Sequence, residues 1–252
     1  MERQTMPILS PGKRNRMSRA VTDIPEGMAY ARNWSFKRVA AQGALMAVND
    51  SVGLGGAKAD AWERELARRS SLVAERYTVR GMYFNGTLDA LRSLGHEPLV
   101  RRCVEESGEP RFLDFFSYPA RMHYQMVSTA LPALAQEYGG AEEGLRQLGQ
   151  QVALRVWGLG VGKVMLSLSP LSPRQLQSAL PMAYRTSVSF GEYEVRWMGP
   201  CSGRLTLKQD FMPYPFHEGV VKTSLALWGG RSVRVSGRQT GGLDSECDFW
   251  WQ

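Results

Sequence analysis

Apolar residues recur at three- and four-residue steps along segments between about residues 60 and 180, and at every second residue along segments beyond Tyr193. The first spacing is that of a helix with one buried face, the second that of a strand with one buried face. Leu145, Leu148, Val152, Val156 and Leu159 form the longest helical stripe, opened by Gly139-Gly140. Glu142 and Glu143 sit in its first turn, where the helix dipole favours negative charge. Gly149 lies on the stripe itself. A glycine there costs about 1 kcal/mol relative to alanine, so its position predicts close approach by another backbone.

Other elements are read from their punctuation. Asp60 to Glu75 favours helix by propensity, and Tyr77 to Phe84 has β-rich composition. Asn85 is expected to cap a helix carrying Leu88, Leu91 and Leu94, with Gly95 as its stop. Glu97 to Ser107 reads as a helix closed by Gly108. Pro119 suits the first turn of the next helix, which Pro132 ends or kinks. Ser172-Pro173 opens a helix through Leu180. Tyr193, Val195 and Trp197 then alternate with charged residues, Gly199-Pro200 turns the chain, and Leu205 and Leu207 alternate in their turn. Pro215 to Trp228 is a helix, followed by alternation at Val233 and Val235 and at Cys247, Phe249 and Trp251. The order predicts an α+β fold: N-terminal helices followed by a β-hairpin–helix–β-hairpin antiparallel sheet, with helices packed on one face.

Charge divides the chain differently. Residues 1–49 carry eight basic side chains and three acidic ones, a net +5 of the +7 total. Pro7, Pro11, Gly12, Pro25 and Gly27 interrupt that segment. The reading is a basic, largely disordered extension over residues 1–58 and a single globular α+β domain over 59–252. A basic extension can make weak, non-specific contact with anions, whether nucleic acid or lipid. Cys103, Cys201 and Cys247 are odd in number and far apart, which fits reduced thiols in a cytoplasmic protein. No run of eighteen apolar residues occurs, so no membrane span is expected.

Candidate chemistry is sparse. Gly158-Leu159-Gly160-Val161-Gly162-Lys163 suggests a phosphate loop, but Trp157 stands where the first Walker glycine belongs and Val164 where Ser or Thr belongs. His217-Glu218 begins a zinc-protease motif that Val221 breaks. Asp244, Glu246 and Asp248 share one strand face, where they could hold a cation or act as acid and base, or simply be solvated. No catalytic residue, metal ligand or cofactor is assigned. What remains is a surplus of large aromatics. Gly149, Tyr184, Trp197, Phe249 and Trp251 are the candidate lining of a ligand site at the helix–sheet interface.

Val79-Arg80-Gly81-Met82-Tyr83-Phe84-Asn85, Leu145 to Gly149, the Gly160-x-Gly162 break, Ala183-Tyr184-Arg185 and the terminal tryptophan carry a resemblance. Over about residues 77–251 the chain resembles an uncharacterised myxobacterial paralogous family, a domain of unknown function. Helices followed by ββαββ are also similar to the superfamily of haem-based nitric-oxide sensors, 4-vinyl-reductase-like domains and vesicle-tethering subunits. That similarity implies a small-molecule or acyl pocket between helices and sheet. Were haem bound, His123 would be the axial ligand to examine; Tyr184 is followed by Arg-Thr-Ser, which departs from the sensors' Tyr-x-Ser-x-Arg motif.

The function expected is therefore a non-enzymatic cytoplasmic sensory or scaffold domain. It would bind an apolar small molecule or a partner protein at the helix–sheet interface. The alternative is a homo-oligomeric interaction or regulatory subunit without a pocket, its partner a second copy of the chain. An enzyme built on His123, His217 or the acidic strand requires a polar pocket gathering two titratable groups.

Overall fold

The computed structural model describes residues 54–159 and 173–252. Most of the expected extension, and the Gly160–Lys163 part of the glycine run, lie outside those residues. Five helices come first: α1 (Leu54–Ser71), α2 (Gly81–Ser93), α3 (Glu97–Ser107), α4 (Ala120–Tyr138) and α5 (Ala141–Gly158). Two short strands, β1 (Thr78–Arg80) and β2 (Ser117–Pro119), pair antiparallel among them. After α6 (Pro173–Ser187) come β3 (Glu192–Gly199), β4 (Ser202–Lys208), α7 (Tyr214–Leu227), β5 (Arg234–Gln239) and β6 (Ser245–Trp250). The four long strands form one antiparallel sheet in the order β3-β4-β6-β5. The fold is thus the expected α+β arrangement of helices and two hairpins joined by a helix.

Helix α5 is the spine, packed against α2, α4 and α7. Glycine makes two of these crossings possible. A Cβ on Gly149 would stand 2.0 Å from the Phe216 carbonyl oxygen of α7, and one on Gly219 of α7 would stand 2.0 Å from the Arg146 carbonyl oxygen of α5. Each helix gives up one side chain so that the two backbones meet. Gly86 of α2 faces the Cα of Val152 in the same manner, at 2.9 Å.

The sheet shows the period-two logic directly. Leu205, Leu207, Cys247 and Phe249 are buried beneath α7, with Tyr193, Val195 and Trp197 packed beside them. On the opposite face Arg204 and Arg238 hold Asp248, and both reach Glu246. Two of the three carboxylates of the acidic strand are therefore neutralised by cross-strand arginines. Asp244 belongs to the preceding turn, where its Oδ1 accepts from the Gln209 N–H at 2.9 Å.

Some boundaries differ from expectation. Helix α2 begins at Gly81, so Asn85 is inside it and caps nothing; its amide donates to the Phe112 carbonyl and to Asp114. Helix α4 continues past Pro132 to Tyr138, and α6 past Pro181 to Ser187. An internal proline removes a backbone hydrogen bond, and here tertiary packing outweighs that loss. Ala183-Tyr184-Arg185 consequently lies on a helix whose far end bridges to the small ribbon, Val188 pairing with Val79.

Candidate functional site

Three apolar clusters divide the interior, one among the helices, one beneath the sheet and one around Trp157, Leu180 and Trp228. Where they meet, packing is incomplete. A cavity of about 70 Å³ lies between α4, α5, α6, α7 and strand β3, walled by residues such as Val152, Ala153, Trp157, Leu180, Tyr193 and Val220.

One end of this cavity is polar. Asp210 is 2 % exposed on the turn between β4 and α7. The Tyr184 hydroxyl donates to its Oδ2 at 2.7 Å and the Met212 N–H to its Oδ1 at 2.7 Å. His217, 4 % exposed on the first turns of α7, places Nε2 3.3 Å from the same Oδ2. That distance permits charge pairing, but the alignment for a hydrogen bond is lacking, and Nε2 has no hydrogen-bond partner among the described residues. Burial pushes the Asp210 carboxyl up. The charge of a protonated His217, with hydrogen bonds from Tyr184 and Met212, outweighs burial and holds it below the usual carboxylate range.

Local structure builds this end. Gln209 takes a left-handed backbone, φ 52°, which for a non-glycine residue costs about 1 kcal/mol. Arg69 of α1, fully buried, donates to the carbonyls of Asp210 and Met212 at 3.2 and 3.1 Å and pairs with Glu65 at 2.7 Å. The guanidinium thus clamps the turn by its backbone and leaves the carboxylate to the cavity. Gly191, φ 71°, leaves room for the Tyr184 hydroxyl, which would lie 2.8 Å from a Cβ there.

His123 lines the cavity from α4. Its Nε2 stands 3.3 Å from the Thr87 hydroxyl, and Tyr83, Phe84 and Tyr124 surround the ring. Burial pushes its pKa down to about 4, with the Tyr83 carbonyl opposing, so the ring is neutral near pH 7. Tyr83 is pushed up to about 12, chiefly by burial.

Of the five residues named from sequence, Tyr184 lines the cavity. Gly149 is one turn away at the α5–α7 crossing, filled by the Phe216 carbonyl. Trp197, Phe249 and Trp251 pack on one another beneath the sheet, with the Arg174 guanidinium 4.8 Å above the Trp197 ring. They form core there and do not reach the cavity. Asp210 escaped sequence reading. Its one local signal is an acid two residues before a backbone N–H at the head of a proline-marked turn, a pattern shared by many surface turns. Both histidines singled out from sequence do converge on this cavity. Among the described residues no group of three metal-ligating side chains exists, and no helix is long and apolar enough to cross a membrane.

Residues 72–252 match a family described as Protein of unknown function (DUF2378). No curated protein sequence matches the chain. Solved structures of similar fold are H-NOX proteins. An Fe(II) unliganded H-NOX protein from K. algicida has TM-score 0.53 at 11% identity, covering 69% of this chain and 96% of that one. An H-NOX protein from S. oneidensis in the Fe(II)NO state has TM-score 0.53 at 12% identity, covering 69% and 99%. An oxygen-binding H-NOX domain related to soluble guanylate cyclases has TM-score 0.52 at 10% identity, covering 69% and 95%. At such identities the likeness is one of fold.

Proposed function

The chain belongs to the DUF2378 family, and we propose that it is a non-enzymatic, cytoplasmic sensory domain that holds a small molecule at its helix–sheet interface. The observation that carries this is the cavity ending in Asp210, His217 and Tyr184. Unfilled interior volume and a buried, unpaired nitrogen both cost stability, and a guest of matching shape relieves both. The guest has an apolar part against Val152, Ala153 and Leu180 and one polar group at the other end.

Haem is named for the H-NOX family, and the residues here do not fit it. Pockets for drug-sized ligands have volumes of about 300–1,000 Å³, and this cavity has about 70 Å³. The His123 ring is enclosed by aromatic neighbours beside Thr87, and the Tyr184 hydroxyl is committed to Asp210. The guest is accordingly a molecule of a few non-hydrogen atoms.

A non-enzymatic role accords with the hydroxyls around the pair. Ser224 donates to the Val220 carbonyl and accepts from Trp157, while Ser187 donates to the Ala183 carbonyl. Neither is poised as a nucleophile beside His217. Methyl-resolved NMR with a panel of very small polar molecules tests the reading. Shifts concentrated at Val79, Val152, Val156, Leu180 and Val220, and abolished in Ala153→Leu, are expected. Absent or scattered shifts, with a stable dimer in solution, would favour an interaction subunit instead.

A further inference from the structure

We propose that the loop between α3 and β2 is a membrane-contact site, where Phe115 and Phe116 enter the interface of an anionic lipid surface and a neighbouring arginine meets its headgroups. This goes beyond the small-molecule reading above and does not depend on it.

Large apolar side chains exposed singly need no explanation. Here three fall within four residues: Leu113 is 38 % exposed, Phe115 58 % and Phe116 62 %. The loop that presents them is fixed from behind. The Gly81 N–H donates to the Phe116 carbonyl at 2.9 Å, the Met82 N–H to the Asp114 carbonyl at 3.1 Å, and the Leu113 N–H to the Tyr118 hydroxyl at 2.8 Å. The Arg80 guanidinium ties the Phe115 carbonyl to the Thr186 carbonyl of α6. Phe112, at the base, stacks on buried Phe84 with ring centroids 4.3 Å apart. The two exposed rings are therefore held out on a frame ordered before any contact, which lowers the entropy lost on binding.

Hydrogen bonding favours lipid over protein as the occupant. Besides the three carbonyls already named, that of Phe112 accepts from the Asn85 amide at 3.0 Å and that of Leu113 from the Phe116 N–H at 3.0 Å. Every carbonyl from Phe112 to Phe116 is thus taken within the chain. Hydrocarbon offers no hydrogen bonds, so backbone that enters it must be satisfied internally. A protein partner is met with about one hydrogen bond per 100–200 Å² of interface, and this loop has already committed its carbonyls. Asp114, the acid between Leu113 and Phe115, is also provided for. Its carboxylate accepts from Arg155 at 3.1 Å and from Asn85 at 2.8 Å.

Charge selects the kind of lipid. Around the loop Arg80, Arg92, Arg111 and Arg155 stand against Asp89, Glu109 and Asp114. Arg155 bridges Asp89 and Asp114, and Arg92 pairs with Asp89. Arg111 is exposed and borders one surface groove with Phe115 and Phe116. Neither Arg111 nor Arg80 pairs with a carboxylate among the described residues. The surplus beside the rings is positive, as is the net +7 of the chain. Anionic headgroups attract arginine, and aromatic rings settle at headgroup level.

The test is co-sedimentation of the full chain with vesicles of phosphatidylcholine alone and with vesicles containing about one-quarter phosphatidylglycerol. The unmodified chain is expected to partition onto the mixed vesicles about ten-fold more strongly than onto phosphatidylcholine. It is also expected to exceed the Phe115→Ser/Phe116→Ser variant by about ten-fold, with the variant's melting temperature unchanged because both rings are exposed. Phe116→Glu, a single change at the more exposed ring, is expected to weaken partitioning in the same direction and serves if the double variant does not fold. Residues 1–49 carry net +5 and can attract anionic vesicles by charge alone. Undiminished partitioning of both variants would assign the binding to that segment and overturn the proposal. Equal partitioning onto phosphatidylcholine alone would overturn the anionic preference. No partitioning of the unmodified chain onto either vesicle would overturn the proposal outright and leave the loop to a protein partner.

Discussion

Single residues in this protein act through what their burial forbids. His123 is held neutral, its pKa pushed down to about 4 from an ordinary 6.5. The unfolded chain therefore takes up a proton near pH 6.5 that the folded chain refuses until about pH 4. Stability falls as pH drops through that window and levels below it, by about 3 kcal/mol at 1.36 kcal/mol per pH unit. Asp210 adds its own loss at lower pH, since a carboxyl held below its ordinary 3.8 stabilises the fold only while ionised. Urea denaturation from pH 7 to 4 should show the decline, and His123→Phe should flatten it; an equal slope in the variant would remove His123 as the cause. Gly149 makes the opposite point. Leucine would gain helix propensity of roughly 1 kcal/mol, but its Cβ would meet the Phe216 carbonyl oxygen at 2.0 Å. Overpacking wins, and Gly149→Leu is expected to cost about 3 kcal/mol, measured as a fall in melting temperature. This contact was legible in sequence from a glycine on an apolar stripe. Asp210 was not, because nothing in local sequence distinguishes a buried acid from one on a surface turn.

Elements were legible wherever periodicity ran long. The β3–β4 and β5–β6 alternations, the α5 stripe and the Gly108 stop all lie where the pattern puts them. Errors arose where tertiary packing overrode local preference. Tyr77 to Phe84 has strand-like composition, yet only Thr78–Arg80 pair as β1, and the residues from Gly81 on enter α2. Helices α4 and α6 run through their prolines because both are held from several sides. Helix α1 is the most consequential element outside the family match, which starts at residue 72. Through Arg69 it grips the turn that carries Asp210. Arg69→Met should leave the Asp210 and Met212 carbonyls without that donor, and Glu65 with Arg68 alone, costing about 3 kcal/mol. Hydrogen exchange at the Met212 amide should quicken in that variant; unchanged protection there would show that α1 does not hold the turn.

At the scale of the whole molecule, helices and sheet border a space too small for a large cofactor and polar at one end. The layer order was readable from the switch in period, and the place of the cavity was not, because it lies where side chains distant in sequence fail to fill a junction. Val152 and Ala153, Leu180 and Tyr184, Asp210, and His217 come from four separate elements or turns. The α+β class and an interface between helices and sheet could be anticipated, whereas the aromatic strand pointed to Trp197, Phe249 and Trp251, which are spent on sheet packing. The central claim is that this junction admits a guest, and diffraction from xenon-pressurised crystals of the unmodified chain and of Ala153→Leu tests it most directly. Xenon density between Leu180 and Val220, absent from the filled variant, is the predicted result. An unmodified chain that takes up no xenon there would contradict the account.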